Sequence, residues 1–252
     1  MQEFRIADFG LRMNSRGQTV KPTIHNPQSE IRNSYFINFA LAIIFLSCLH
    51  STTYAVELPD VISGLQGRYA SVETVRGDFL QTYRAPGISQ EESGEFWLKK
   101  PGVMRWEYRS PEEQVFVADG TESFLYVPKD RQVTVQPFSA ADLHSTPLEF
   151  LLGSGNISRS CTTSWETEFK PKAEHTLLIR LTPRKAQGEY SFLVLELDSQ
   201  TFDLRRIAIR EPGGSTTEFL LTNVATNEKL DKKLFQFKIP KGVEVIRLNN
   251  EQ

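Results

Sequence analysis

The sequence predicts a mainly β fold, a long antiparallel meander that curls and closes, or nearly closes, around an apolar interior capped by helices. Three observations carry that expectation. From residue 74 the apolar pattern changes to period two and keeps it through strand after strand joined by short turns. About eleven such strands and two or three helices follow residue 55 without a linker-like stretch, so 56–252 reads as one domain. Aromatics reach 11%, with seventeen Phe, a content that fits strands or an apolar cavity.

The elements follow in order. Residues 58–70 repeat apolar groups at helical spacing, with Leu58, Val61, Ile62, Leu65 and Tyr69 on one face and Pro59 in the first turn, where its missing N–H does little harm. Gly64 and Gly67 each weaken that helix by roughly 1 kcal/mol relative to Ala, so it needs its apolar face packed on something. "TVRGDFLQTY" opens the sheet, and a loop at Pro86-Gly87 leads to "SGEFWLKK" and, past Pro101-Gly102, to "GVMRWEY". Residues 114–128 hold two strands joined at Asp119-Gly120, a strong hairpin signal, and Lys129-Asp130 turns the chain into "RQVTVQ". Alternation lapses at 138–156, where Phe150, Leu148, Leu151 and Leu152 fit a short helix between Pro147 and Gly153, followed by a loop of small residues. Strands resume at 164–170, 175–181, 191–197, 204–210 and 215–225, and "FQFKIP" (235–240) reads as a last short strand. A barrel of that many strands has more interior than side chains easily fill, which leaves the helices at 58–70 and 147–153 as lid or plug.

Residues 1–55 read as a separate N-terminal extension and secretory signal. Arg32 precedes the apolar run 35–49, and a polar stretch ending in Thr53-Tyr54-Ala55 follows, the layout of a cleavable secretory signal with a cut after Ala55. The run is short for a membrane helix of about 20 residues, though a retained anchor is the alternative. "FLSC" (45–48) offers another, lipidation at Cys48. Residues 1–30 show no periodicity, and Met13 is a second candidate initiator.

Composition and motifs exclude several classes. The formal charge is −2, giving no whole-chain attraction for nucleic acid. Beyond residue 55, Cys161 is alone, so no internal disulfide scaffold forms, and a small residue near a strand start is its plain reading. His144 and His175 stand in no metal-ligand spacing, and neither a G-x-S-x-G elbow nor a phosphate-binding glycine loop occurs. Glu91, Glu92, Glu95, Glu112 and Glu113 read as turn solvation, and Asp119 as a hairpin residue. A secreted hydrolase remains the contrasting class, lacking a nucleophile–base set. What the chain does offer is apolar surface. Phe96, Leu98, Met104, Trp106 and Tyr108 share one alternation, and Phe124 and Tyr126 oppose Leu125 and Val127.

These motifs resemble the LolA family of periplasmic outer-membrane lipoprotein carriers: "GDFLQTY" after the first helix, "GEFWLKKPGVMRWEY", "PEEQVFVADGTESFLYVPKDRQV", "TPLEFLLG" and the terminal "FQFKIPKGVEVI". The resemblance spans about residues 57–246. It implies an incomplete, unclosed barrel with a helix-capped apolar cavity for acyl chains. It also implies a monomeric shuttle without cofactor or metal, working between an inner-membrane ABC release complex and an outer-membrane receptor of the same fold. On that reading Phe96, Leu98, Met104, Trp106, Tyr108, Phe124 and Tyr126 line the cavity, and Leu58, Ile62, Leu65, Leu148, Leu151 and Leu152 belong to the lid. The receptor is the alternative, if Cys48 is lipidated. Family members commonly carry Arg before the Pro of W-x-x-x-P, where it ties the lid to the strands; here the position is Lys100, a point donor without the planar fork. Either Lys100 makes a looser latch, or Arg105 or another cation serves, or packing alone holds the lid.

Overall fold

Alternating residues leave one face of most strands apolar, and the structure spends that face on a core. The computed structural model describes residues 56–139, 156–185 and 190–248. Helix α1 (Leu58–Ala70) comes first, followed by strands β1 (Thr74–Ala85), β2 (Ile88–Lys99), β3 (Val103–Ser110), β4 (Gln114–Ala118), β5 (Glu122–Val127) and β6 (Gln132–Pro137). A four-residue helix α2 (Ile157–Ser160) precedes β7 (Cys161–Trp165), β8 (Thr176–Pro183), β9 (Phe192–Asp198), β10 (Leu204–Arg210) and β11 (Thr216–Thr226). A 3-10 turn at Lys232–Phe235 then leads to β12 (Glu244–Arg247).

Among the described residues these strands make one twelve-stranded sheet, ordered β12-β6-β5-β4-β3-β2-β1-β11-β10-β9-β8-β7. The sheet is unclosed, with β12 and β7 as its edges. The long β1 pairs β2 on one side and β11 on the other, joining the two halves of the chain. Where β2 meets β3, a Cβ at Gly94 would stand 1.8 Å from the Glu107 carbonyl oxygen, so only glycine permits that approach.

Register sorts the side chains. The inner face, which α1 covers, carries Val75 and Phe79 of β1, Phe96 and Leu98 of β2, Met104 and Trp106 of β3, and Leu193, Leu195, Ile207 and Leu221 from the other half. The outer face is covered differently. Residues 166–175 lie over β8–β11, and Phe237 with Val243 packs on Val117, Phe124, Val133 and Val135.

Three expectations need correction. The strand expected at 164–170 begins earlier, at Cys161, and ends at Trp165. The Glu166 carboxylate then accepts the backbone N–H groups of Thr167, Glu168 and Phe169, which turns the chain out of the sheet. "FQFKIP" is not a strand; Phe235 closes the 3-10 turn and Phe237 packs on the outer face, while the last strand is β12. That strand runs parallel to β6, so the sheet is not wholly antiparallel: after β11 the chain crosses to the far edge and arrives along β6 rather than against it. Residues 157–160, for which no element was expected, form α2, with Asn156 accepting the Arg159 N–H as its cap. The expected helix at 147–153, with Leu148, Leu151 and Leu152, lies outside the described residues, as do residues 1–55. No helix among the described residues is long and apolar enough to cross a membrane.

Candidate functional site

The site grows from the inner face. Its two halves differ in kind. On β1–β4 and β11 the floor is aromatic: Trp106 stands 4.9 Å from Phe79, 5.0 Å from Phe96 and 5.8 Å from Phe219, centroid to centroid, and Phe79 meets Tyr108 at 5.0 Å. On β8–β10 the floor is aliphatic, built from Ile179, Leu181, Leu193, Leu195, Leu197 and Ile207, each 0–1% exposed. Sequence reading found the aromatic half and missed the aliphatic one. A usable signal was present in β10, where Ile207 and Ile209 alternate with Arg206 and Arg210.

Helix α1 covers this floor with Val61, Ile62, Leu65 and Tyr69, all buried; Leu58 packs at its margin. Gly64 is required for the fit, because a Cβ there would lie 2.5 Å from the Phe202 ring in the β9–β10 turn. Gly67 faces open space.

The tethers of α1 sit at its C-terminal end. Lys100 Nζ donates to the Ala70 carbonyl at 3.2 Å and, more distantly, to that of Tyr69 at 3.5 Å. A cation at the helix C-terminus also meets the negative end of the helix dipole. Arg68 Nε donates to Asp203 at 2.7 Å, the Leu204 N–H donates to the Tyr69 hydroxyl at 3.1 Å, and Asn227 bridges Ser71 and Glu73. At the N-terminal end Glu57 supplies no side-chain cap. Burial raises the Tyr69 phenol above its usual range, against the bond from the Leu204 N–H. Burial and then the Glu92 charge push Tyr108 up to about 12. Both phenols therefore stay neutral across any physiological pH, Tyr108 in the floor and Tyr69 in the helix above it.

The structure brings Phe96, Leu98, Met104, Trp106 and Tyr108 together on the inner face with Ile62 and Leu65. It does not bring Phe124 and Tyr126 there. In register, Trp106 pairs with Phe116 and Phe116 with Leu125, so Leu125 shares the inner face. Phe124 and Tyr126 point outward and meet Phe237 at 5.4 and 5.9 Å. Both alternations of β5 are apolar, and its outer cover comes from a segment more than a hundred residues later, so alternation alone could not choose. Arg105 is also on the outer face. It donates to Glu107 at 2.6 Å and to the Leu234 carbonyl at 3.2 Å, holding the 3-10 turn rather than the helix.

The acidic clusters are spent on local pairs, such as Glu95 with Arg109 and Glu112 with Lys129. Asp119 accepts N–H bonds from Thr121 and Glu122; these outweigh burial and hold its carboxyl below the usual range, as a hairpin residue should. Cys161 is a buried thiol at the first residue of β7. Among the described residues no cluster of His, Cys, Asp or Glu is gathered that could hold a metal ion.

A profile described as "Outer membrane lipoprotein carrier protein LolA" matches residues 70–238. An outer-membrane lipoprotein carrier protein of Hahella chejuensis is 32% identical over 189 residues, 74% of this chain and 88% of that one. One from Nitrosospira multiformis is 30% identical, covering 84% and 96%, and one from Haemophilus influenzae is 30% identical, covering 75% and 88%. The unclosed sheet, the apolar inner face and the tethered helix thus coincide with a match across most of the chain: the protein belongs to the LolA family of outer membrane lipoprotein carrier proteins.

Proposed function

We propose that the protein carries lipoproteins by sheltering their acyl chains on the inner face of the sheet, as the names of its relatives suggest for them. The carrying observation is the cover of that face. Its inner side is apolar, and the ties described above gather at its C-terminal end.

Magnitudes support the exchange. An exposed acyl CH₂ costs about 0.8 kcal/mol, so a chain of about sixteen carbons costs on the order of 12 kcal/mol in water. Val61, Ile62 and Leu65 of α1 bury surface worth roughly 5–9 kcal/mol against the floor. A chain that displaces them recovers its own burial and forfeits theirs, so the net affinity is moderate and release to a receptor is feasible. In this reading Phe96, Leu98, Met104, Trp106 and Tyr108 form the aromatic wall, with the β8–β10 aliphatic floor beside it. Leu58, Ile62 and Leu65 belong to the lid, together with the undescribed Leu148, Leu151 and Leu152, and Lys100 is the latch.

The chain is exported behind residues 1–55, cut after Ala55, and works as a monomeric carrier, without catalysis or cofactor, in the periplasm. It takes cargo from an inner-membrane ABC release complex and delivers it to an outer-membrane receptor. Purified 56–252 should keep an acylated lipoprotein in solution and leave its unacylated form unbound. Equal behaviour towards both forms would remove the proposal. Mass spectrometry of the native N-terminus should find Val56 first; an acylated Cys48 would make the protein a receptor instead.

A further inference from the structure

A groove of about 640 Å³ runs along one flank of α1, between the helix, α2 and edge strand β7. Its walls include Ile62, Leu65 and Gly67 of α1, Ile157 of α2 and Thr163 of β7, and among the described residues that line it none carries a charge. The volume lies within the roughly 300–1,000 Å³ of ordinary small-molecule sites. Ile62, Leu65 and Tyr69 line the groove and also seal the inner face, so the two spaces share a wall. β7 is where the sheet ends, and passage along it breaks no strand pairing. The wall itself is unequal: Lys100, Asp203 and Leu204 tie the C-terminal turn of α1, and its N-terminal turn has no side-chain cap.

We propose that this groove is the port through which one neutral acyl chain passes beneath α1. The helix lifts from its N-terminal half while its C-terminal turn stays tied. A groove whose described lining is uncharged, parted from the aliphatic floor only by α1, fits a hydrocarbon chain and offers little to a charged headgroup, which stays at the sheet edge. The proposal rests on the carrier reading above and adds to it the path and the moving end.

The test fills the port from each wall. A Cβ at Gly67 meets nothing within 4 Å, so the side chain of Gly67→Phe starts from open space beside the groove. Thr163→Phe enters from β7. Gly213, whose Cβ also meets nothing within 4 Å, supplies Gly213→Phe as a control remote from the groove. Unfolding midpoints of all three verify folding. Association and dissociation of a fluorophore-bearing palmitoyl peptide are then followed by stopped flow. Gly67→Phe and Thr163→Phe should each slow both rates by about tenfold, and Gly213→Phe should leave them at the parental values. Parental rates in both groove variants would overturn the port. If the unsubstituted protein binds no palmitoyl peptide, the carrier reading itself falls, a result distinct from normal binding through a blocked groove.

Discussion

One sheet carries two covers, and they are held in opposite ways. On the inner face α1 rests on aliphatic and aromatic groups, and Lys100 and the Leu204 N–H bond it at its C-terminal end. On the outer face residues 166–175 are fastened by buried charge. Arg206, 2% exposed, donates to Glu218 at 3.0 Å and to the Lys170 carbonyl at 2.9 Å. Its Nε stands 2.8 Å from Glu196 as an ion pair off the hydrogen-bond axis. Glu196 in turn accepts the Lys172 and Ala173 N–H groups and the Thr176 hydroxyl. Charge pairs leave an unpaired charge behind when they part, whereas apolar contacts can be exchanged for another apolar body with little net change. On the carrier reading proposed above, the cover that gives way to a greasy ligand is the inner one.

The largest effect should come from unfastening the outer cover. Arg206→Met leaves the buried Glu196 without its counter-charge, while Glu218 keeps Arg84, and should lower stability by about 3–5 kcal/mol in denaturant unfolding, while the folded fraction binds acyl probe as before. If probe binding is lost with the fold intact, the two covers are not independent.

Acid should act on the same side. Burial raises the Glu166 carboxyl, but bonds from Arg180 and from the Glu168 and Phe169 N–H groups outweigh it and bring it to about 2, from an ordinary 4.5. A lowered folded pKa contributes stability that is fully present above about pH 4.5 and lost as the pH falls towards 2. The midpoint of thermal unfolding should fall through that window, and Glu166→Gln should flatten the fall.

The inner cover answers to smaller changes. Gly64→Ala drives a methyl into Phe202 and should cost about 1–3 kcal/mol, read as a lower unfolding midpoint. Smallest is the latch. Lys100→Ala removes bonds worth about 0.5–1.5 kcal/mol from the closed state, so apparent affinity for acyl probe should rise by up to about tenfold in a binding titration. Lys100→Arg, with its planar fork, should move it the other way.

Much of this was legible in the sequence, and the failures have one cause. Helix α1 and the meander from 74 to 137 follow from period and turn chemistry, which are local. The position of Lys100 next to Pro101 was legible by resemblance, although only register shows that Lys100 reaches the end of α1 while Arg105 points to the outer face. Phe124 and Tyr126 were misassigned because sheet faces are distinguished by what covers them, and Phe237 arrives from far along the chain. The 166–175 cover was unreadable for the same reason. Glu196, Arg206 and Glu218 look like solvent-facing charges in three separate strands, and they meet only when β9, β10 and β11 pair.

Hydrogen exchange at the α1 amides, with and without bound palmitoyl peptide, tests the replaceable inner cover most directly. Loading should speed exchange across residues 61–70, most at the N-terminal end, and leave residues 166–175 unchanged. Slower exchange across α1 on loading would mean that the helix stays docked over its cargo, contradicting a lid that gives way.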